Sequence, residues 1–329
     1  MGFEEKGLGP GDLRQARARV GRGARVTPLL PSDALTARFG HKIALKCENL
    51  QAGGAFKIRG ATNFVAQSTE EARARGLLTY SSGNHAIAVA LAARRAGCSA
   101  VVVMPETVSP LKAERVRSLG AEVHLAGTTS LDRRARAESL QAERGLTMVP
   151  PFDDPWIVAG QSTCGVEILE QAPEAGLVLV PVGGGGLLSG VALACAYHRP
   201  GIQVVGVEPK GAAKMSASLR AKTPITLREV ASIADGLLPS RPGDLTFAIT
   251  QCFAKDVVTV DDDAIEEAAR LLLRDDHLLV EWSGAVGLAA LLSGAINPGG
   301  PSTVLVLSGG NVDPRSVIDG PAGRTAGAH

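Results

Sequence analysis

Short apolar segments alternate along the chain with longer alanine-rich segments of helical spacing. The apolar segments predict eight strands, at Ile43–Cys47, Leu77–Tyr80, Ala100–Met104, Glu122–Leu125, Leu177–Val182, Gln203–Val207, Val257–Val260 and Val304–Leu307. The alanine-rich segments predict helices, among them Ala86–Ala96, Pro110–Leu119, Leu131–Arg144, Leu187–Tyr197 and Asp263–Leu273. Such alternation is typical of an α/β fold whose parallel sheets are covered by helices on both faces.

Two breaks in this pattern divide the predicted fold into two units. The first is the polar stretch Gln67–Glu71, and the second is the pair Pro150-Pro151. We expect residues 75–150 to form a small domain, while residues 1–74 and 151–329 form the two parts of a large domain. A cleft between two such units is a natural place for a ligand.

Composition and charge exclude several classes of function. The 329 residues carry 34 basic and 33 acidic side chains, and only 3% of them are aromatic. This balance provides no basic surface for nucleic acid or an anionic membrane, and no stacking platform for bases. The chain has no apolar run of membrane-spanning length, no apolar signal segment at its start, and no cysteines in metal-binding spacing. We therefore expect a cytoplasmic protein without a structural disulfide framework.

The sharpest local signal is an apolar strand that leads into four consecutive glycines, at positions 183–186, and then into a helix from Leu187. The backbone N–H groups of such a loop and the positive end of the helix suit a phosphate group. The dinucleotide fingerprint fails because its third glycine position is Leu188, and no Gly-Lys-Ser/Thr sequence follows. The loop therefore fits a single phosphate, with a merely flexible turn as the alternative.

Two further polar clusters follow predicted strands. The segment Ser81–His85 precedes a helix and offers hydroxyl, amide and N–H groups for an anion such as a carboxylate. An ordinary helix N-cap would contain the same residue types, so the cluster alone does not establish a site. The segment Ser308–Asn311 follows the last predicted strand.

One lysine is a candidate nucleophile. Lys57 follows a Gly-Gly turn and lies between Phe56 and Ile58. An amine in apolar surroundings loses its proton more readily and can form a Schiff base with an aldehyde cofactor. From these residues alone, a surface lysine with its stem on apolar neighbours is the alternative.

In their order along the chain, these motifs resemble those of the fold-type II pyridoxal-phosphate (PLP) enzymes, in the branch of serine/threonine dehydratases and serine racemases. The matching segments are Phe56–Ala61, Ser81–His85, Ala159–Gln161, the four glycines, Ala234–Gly236, Ser283–Gly287 and Ser308–Asp313. The resemblance implies a two-domain α/β fold with parallel sheets and an active site in the interdomain cleft. It also implies PLP as the cofactor, an amino acid as the substrate, and a homo-oligomer, either a dimer or a tetramer.

The resemblance implies a role for each motif. The residues expected to hold PLP are Phe56, Lys57, Asn84, Gly183, Gly184, Gly185, Gly186, Leu187 and Ser308. Of these, Lys57 would carry the cofactor, the glycines would bind its phosphate, Asn84 its 3′-oxygen, and Ser308 would face its ring nitrogen. A serine there does not keep the ring nitrogen protonated, which favours rapid loss of a β-substituent over transamination.

The implied reaction is the elimination of water from a β-hydroxy amino acid of the threonine/serine type, which yields an α-keto acid and ammonia. The residues expected to bind the substrate carboxylate are Ser81, Ser82, Gly83, Asn84 and His85. Lys57 would take the Cα proton as general base. Ser82 also lies where the racemases place an acid/base on the opposite face, so a serine-type racemase is the alternative function.

One departure from the family concerns a divalent cation. Many relatives bind one through a glutamate, a backbone carbonyl and a second acid. Glu208 and Ala212 match the first two, but Lys214 occupies the place of the second acid. We therefore expect no bound metal. Either the Lys214 ammonium replaces the cation beside Glu208, or Lys214 points to solvent and the site is absent.

Three other residues bear on the substrate. Ile87 and Trp282 differ from the residues that are usual in the family, so they either narrow an apolar pocket for threonine or a phenylserine, or belong to the packing around it. Arg133 lies near the position of a racemase arginine that can reach a second carboxylate. An inward Arg133 would favour 3-hydroxyaspartate, whereas a solvated helix arginine would have no such role.

Other functional classes fit the sequence less well. Enzymes of β-replacement usually have threonine after the asparagine, where this chain has His85. A nicotinamide dehydrogenase would need the missing third glycine. A non-enzymatic protein that binds a phospho-ligand would use only the glycine loop, and it would not show the absorbance of PLP.

Overall fold

The structure is a computed structural model that describes residues 2–81, 83–108 and 110–320, without the side chains of Leu111 and Ser130. The strands are β1 (Leu29–Pro31), β2 (Ile43–Lys46), β3 (Leu77–Tyr80), β4 (Ala100–Met104), β5 (Glu122–Leu125), β6 (Thr147–Met148), β7 (Ala175–Pro181), β8 (Gln203–Pro209), β9 (Asp256–Val260) and β10 (Ser302–Val306). The first seven helices are α1 (Pro10–Val20), α2 (Asp33–Phe39), α3 (Lys57–Gln67), α4 (Glu70–Arg75), α5 (Asn84–Arg95), α6 (Pro110–Ser118) and α7 (Ser130–Arg144). The remaining helices are α8 (Pro155–Gln171), α9 (Gly186–His198), α10 (Lys214–Ala221), α11 (Asp244–Phe253), α12 (Asp262–Asp275), α13 (Trp282–Leu292) and α14 (Pro314–Asp319).

The strands form a larger and a smaller sheet. The larger sheet has the order β1-β2-β10-β7-β8-β9, and the smaller one has the order β5-β4-β3-β6. All pairings are parallel except that of β1 with β2. Every residue of β4 and β10 is buried, because helices cover both faces of each sheet. The predicted α/β fold class is thus confirmed.

The eight predicted strands are present, with ends that differ by a few residues. Strand β8, for example, extends to Pro209, two residues beyond the predicted end. Two short strands, β1 and β6, were not predicted. Within the described ranges, no helix is both long enough and apolar enough to cross a bilayer.

The strands of the smaller sheet come from residues 77–148 of the chain, but its hydrophobic core extends further. The core includes Ile58 and Phe64 from α3 and Ile157 from α8, which pack with the buried side of α5. The boundaries of a small domain at residues 75 and 150 therefore stay a prediction.

A buried network of charged groups fixes the first turn of α3. The Arg59 guanidinium donates to Glu48 and Glu167, with N–O distances of 2.7 Å to each carboxylate. Glu167 also accepts from the Lys46 ammonium at 2.6 Å. These pairs join α3 to β2 and α8, so they hold the position of Lys57, which lies two residues before Arg59.

Candidate active site

The loops that follow three neighbouring strands meet at one edge of the larger sheet. Strands β2, β10 and β7 are adjacent and parallel, so their carboxyl ends lie side by side. The chain reaches Lys57 after β2, Ser308 after β10, and the four glycines after β7. The backbone N–H of Phe56 donates to the carbonyl oxygen of Ser308 at 3.1 Å, which joins the first two loops.

Lys57 is the first residue of α3, and its amine is partly buried. Its Nζ donates to the carbonyl oxygen of Pro151 at 2.6 Å and lies 5.3 Å from the centre of the Phe56 ring. Burial lowers the pKa of Lys57 to about 8. A substantial fraction of the amine is therefore neutral near pH 7 to 8 and able to act as a nucleophile or base.

Close packing requires glycine in the glycine loop. A Cβ on Gly184 would lie 2.3 Å from the ring of Phe152, and one on Gly186 would lie 3.2 Å from the Phe152 Cβ. Gly185 has φ +98°, which favours glycine, and it caps the N-terminus of α9. The carbonyl oxygen of Gly184 accepts from Thr246 Oγ1 at 2.6 Å. The loop is held in one shape, next to the first N–H groups of α9, which have no partner inside the helix.

The segment from Ser81 leads from β3 into the N-terminus of α5. The Ser81 N–H donates to the carbonyl oxygen of Val103 at 3.0 Å, and the Gly83 N–H donates to Ser81 Oγ at 3.3 Å. The N–H groups of Asn84 and His85 lie in the first helical turn, where an anion is favoured. Ser82 lies outside the described residues, so its expected roles stay predictions.

The His85 side chain is neutral and does not bind an anion through a positive charge. Its Nε2 lies 3.1 Å from the carbonyl oxygen of Val149 and must carry the proton, because a carbonyl only accepts. Burial, followed by the nearby Lys57 charge, lowers the pKa of His85 to about 3, so the ring is neutral. Its Nδ1 is a buried acceptor without a hydrogen-bond partner. Only the backbone N–H of His85 is then available for a carboxylate.

Glu281 and Asn311 orient Asn84. Asn84 Nδ2 donates to Glu281 Oε1 at 2.6 Å, and Asn84 Oδ1 accepts from Asn311 Nδ2 at 2.7 Å. Burial, followed by the negative charge of Asp235, raises the pKa of Glu281 to about 7. Sequence reasoning did not single out Glu281; the one available signal is an acid directly between Val280 and Trp282 in an apolar stretch.

The three residues with a predicted effect on substrate preference differ in how far their side chains are buried. Trp282 is buried in the core beside the larger sheet, and Ile87 is buried in the core of the smaller sheet. Both side chains pack in apolar clusters, and a role in narrowing the substrate pocket stays a prediction. Arg133 is half-buried, with Nη1 3.5 Å from the carbonyl oxygen of Thr128 and Nε without a partner. A role for Arg133 toward a second carboxylate stays a prediction.

Lys214 points inward, not to solvent. Its side chain and that of Glu208 are fully buried, with 3.5 Å between Lys214 Nζ and Glu208 Oε2. Ala212, the third residue considered for a cation site, is also buried. Among the residues that the structure describes, no group of three or more His, Cys, Asp or Glu is arranged to hold a metal ion.

Comparison with known proteins identifies the family. The family model described as pyridoxal-phosphate-dependent enzyme matches residues 20–309. This chain belongs to the PLP-dependent enzymes. Its cofactor is PLP, and the family that the sequence motifs predicted is confirmed.

Relatives of this PLP enzyme include threonine ammonia-lyases and serine racemases. An L-threonine ammonia-lyase of Geobacter sulfurreducens is 41% identical over 93% of this chain and 76% of its own length. A serine racemase of Oryza sativa subsp. indica is 38% identical over 92% of this chain and 90% of its own length. The structure of maize serine racemase matches with a TM-score of 0.90 and 38% identity, covering 93% of this chain and 94% of that one. The processed threonine deaminase isoform 2 from Solanum lycopersicum matches with a TM-score of 0.88 and 35% identity, covering 95% and 94%.

The site residues of this PLP enzyme fit its cofactor. The amine of Lys57 has a lowered pKa, as a bond to an aldehyde requires. Phe152 fills the places where side chains on Gly184 and Gly186 would lie, so backbone alone can face a phosphate there. Ser308 is buried beside Phe56 and offers a hydroxyl group.

Proposed function

We propose that this PLP enzyme removes water from a β-hydroxy amino acid of the L-threonine/L-serine type, and that water then hydrolyses the released enamine to a 2-keto acid and ammonia. The observation that carries the proposal is the position of Lys57, whose amine of lowered pKa lies among the loops that follow β2, β7 and β10. The named L-threonine ammonia-lyase relative, which aligns with 93% of the chain, supports the same reaction.

The proposed roles follow from the contacts of each group. Bound PLP supplies an electron sink for the pair of electrons that remains when the Cα proton leaves. Lys57 holds the cofactor and then accepts the Cα proton at Nζ as general base, for which a pKa of about 8 is suitable. The N–H groups of Gly183–Leu187 would bind the phosphate, at the N-terminus of α9. Ser308 would offer its hydroxyl group to the ring nitrogen.

The N-terminus of α5 is the proposed carboxylate site. The backbone N–H groups of Gly83, Asn84 and His85, with the Ser81 hydroxyl, bind the substrate carboxylate. The neutral His85 ring contributes no charge, so the helix end provides the attraction. Asn84 would donate to the 3′-oxygen of the cofactor the amide hydrogen that it does not donate to Glu281.

Serine racemisation is the second candidate, because relatives with that name are 38% identical over 92% of this chain. In that case the Ser82 hydroxyl acts on the face of Cα opposite Lys57. We expect a Ser82→Ala protein to lose formation of D-serine from L-serine while it retains keto-acid release. Equal loss of both products would assign Ser82 to carboxylate binding instead.

A substrate panel tests the proposed function. Keto-acid release is measured with L-threonine, L-serine, threo-3-hydroxyaspartate and phenylserine, with Lys57→Ala as the control. We expect turnover of L-threonine and none by the variant. Turnover of 3-hydroxyaspartate alone would identify this amino acid as the substrate. It would also support binding of the second carboxylate by Arg133. If the PLP-loaded protein releases keto acid from none of the four amino acids, the dehydratase function is refuted.

We also propose that the enzyme works in the cytoplasm as a homo-oligomer, a dimer or a tetramer. This proposal rests on the resemblance to the family. Light scattering on a size-exclusion column tests it, and a purely monomeric holoenzyme would contradict it.

A further inference from the structure

A lysine is buried directly behind the glycine loop. Lys214 is the first residue of α10, and its side chain is fully buried. Its Nζ donates to the carbonyl oxygen of Val182 at 2.8 Å and to that of Leu237 at 2.9 Å. Val182 is the residue that precedes Gly183, so one ammonium group joins the base of the loop to the segment that contains Leu237.

A buried carboxylate balances this charge. Glu208 Oε2 lies 3.5 Å from Lys214 Nζ. The same carboxylate accepts from the backbone N–H groups of Met215 at 3.1 Å and Ser216 at 2.8 Å, which caps the N-terminus of α10. The three hydrogens of the ammonium thus face three oxygens, the arrangement that a buried cation needs.

The same helical turn also contacts the far side of the loop. A Cβ on Gly185 would lie 2.8 Å from the Met215 Cε, so Met215 packs against this glycine. A Cβ on Gly183 would lie 3.1 Å from the carbonyl oxygen of Gly236, one residue before Leu237. The glycine loop is therefore supported at its base by the contacts of Lys214 and at Gly185 by Met215.

We propose that Lys214 is a positioning residue: a built-in cation that holds the base of the glycine loop in the shape that binds the cofactor phosphate, so that the protein retains PLP without a divalent cation. Removing the ammonium would leave the carbonyl groups of Val182 and Leu237 buried without a donor and Glu208 without a counter-charge. The loop would then shift so that these carbonyl groups reach other hydrogen-bond donors. This inference rests on the proposed phosphate site.

The first test is the affinity of the apoprotein for PLP, measured as quenching of tryptophan fluorescence. We expect Lys214→Met to raise the dissociation constant at least about tenfold, which corresponds to ~1.4 kcal/mol. Lys210→Met is the control, because Lys210 lies four residues before Lys214 but is exposed and pairs with Asp261. We expect the control to bind PLP like wild type.

A charge replacement tests whether the cation itself matters. Lys214→Asp would place a second carboxylate near Glu208 and two carbonyl oxygens, a set of hard ligands that suits Mg²⁺. We expect this protein to bind PLP weakly in a chelator and to recover at least about tenfold in affinity with Mg²⁺. Neither the chelator nor Mg²⁺ should change the PLP affinity of the wild-type protein. A Lys214→Asp protein whose PLP affinity does not rise with Mg²⁺ would overturn the claim that a cation holds the loop.

The remaining outcomes separate this inference from the proposed function. Gly184→Ala perturbs the loop itself, so unchanged PLP affinity in that variant would refute the phosphate site and this inference with it. Reduced affinity in Gly184→Ala, together with wild-type affinity in Lys214→Met, would overturn only the role of Lys214. Loss of PLP from wild type on chelation would also overturn that role.

Discussion

The packing of the glycine loop against Phe152 leads to a quantitative prediction for Gly184→Ala. The new Cβ would lie 2.3 Å from the ring, whereas carbon atoms in contact are normally about 3.5–4.0 Å apart. The loop or the ring must therefore move by about 1.2 Å or more. Overpacking of this kind costs roughly 1–3 kcal/mol. If the displaced loop bears that cost, the dissociation constant for PLP rises about 5- to 150-fold.

The assay is titration of the apoprotein with PLP. Gly11→Ala is the matched control, because the nearest atom to its new Cβ is Arg14 Nη2 at 3.9 Å. We expect this control to bind PLP like wild type. Adding Phe152→Leu to Gly184→Ala removes ring atoms from the clash and should restore part of the affinity. A Gly184→Ala protein that binds PLP as tightly as wild type would refute this account of the loop.

Three further predictions concern titratable and charged groups. The pKa of about 8 for Lys57 predicts that PLP attaches to the apoprotein faster as pH rises, with a plateau above about pH 8; a midpoint near the ordinary lysine value of 10.5 would contradict it. Because the pKa of Glu281 is raised from 4.5 to about 7, the folded protein keeps a proton that the unfolded chain releases, so stability falls between these pH values by up to about 3 kcal/mol. Urea unfolding at several pH values should show that Glu281→Gln lacks this slope, and an unchanged slope would assign it elsewhere. Arg59→Met should cost about 3–5 kcal/mol because it leaves Glu48 and Glu167 buried without their partner, whereas Arg17→Met at an exposed pair should cost under about 1 kcal/mol; equal losses in urea unfolding would count against the network.

The order of strands and helices was largely predictable, because buried parallel strands such as β4 have continuous apolar sequences. Helix α8 was not predicted. Its sequence contains Gly160 and Gly165, which lower helix propensity. In the fold these glycines allow close helix contacts, since a Cβ on Gly160 would lie 2.6 Å from the carbonyl oxygen of Arg59. Such tertiary requirements are not visible in local sequence.

The residues of the candidate site likewise fall into two groups, those that sequence motifs reveal and those that only the structure reveals. Lys57 and the glycine loop could be found from motifs, because their chemistry depends on residues that are consecutive in the chain. Glu281 could not, because its significance comes from a hydrogen bond to Asn84, 197 positions away in the sequence. The inward position of Lys214 was one of two alternatives, and only the structure shows which carbonyl oxygens receive its hydrogens.

Reductive labelling of the loaded protein tests the central claim most directly. Borohydride makes the bond between PLP and its lysine permanent, and peptide mass spectrometry then locates the label among the nine lysines of the chain. We expect the label on Lys57 alone, and none on the same peptide of the Lys57→Arg protein. A label on any other lysine, or a PLP-loaded protein without a label, would contradict the assignment of Lys57 and the mechanism built on it.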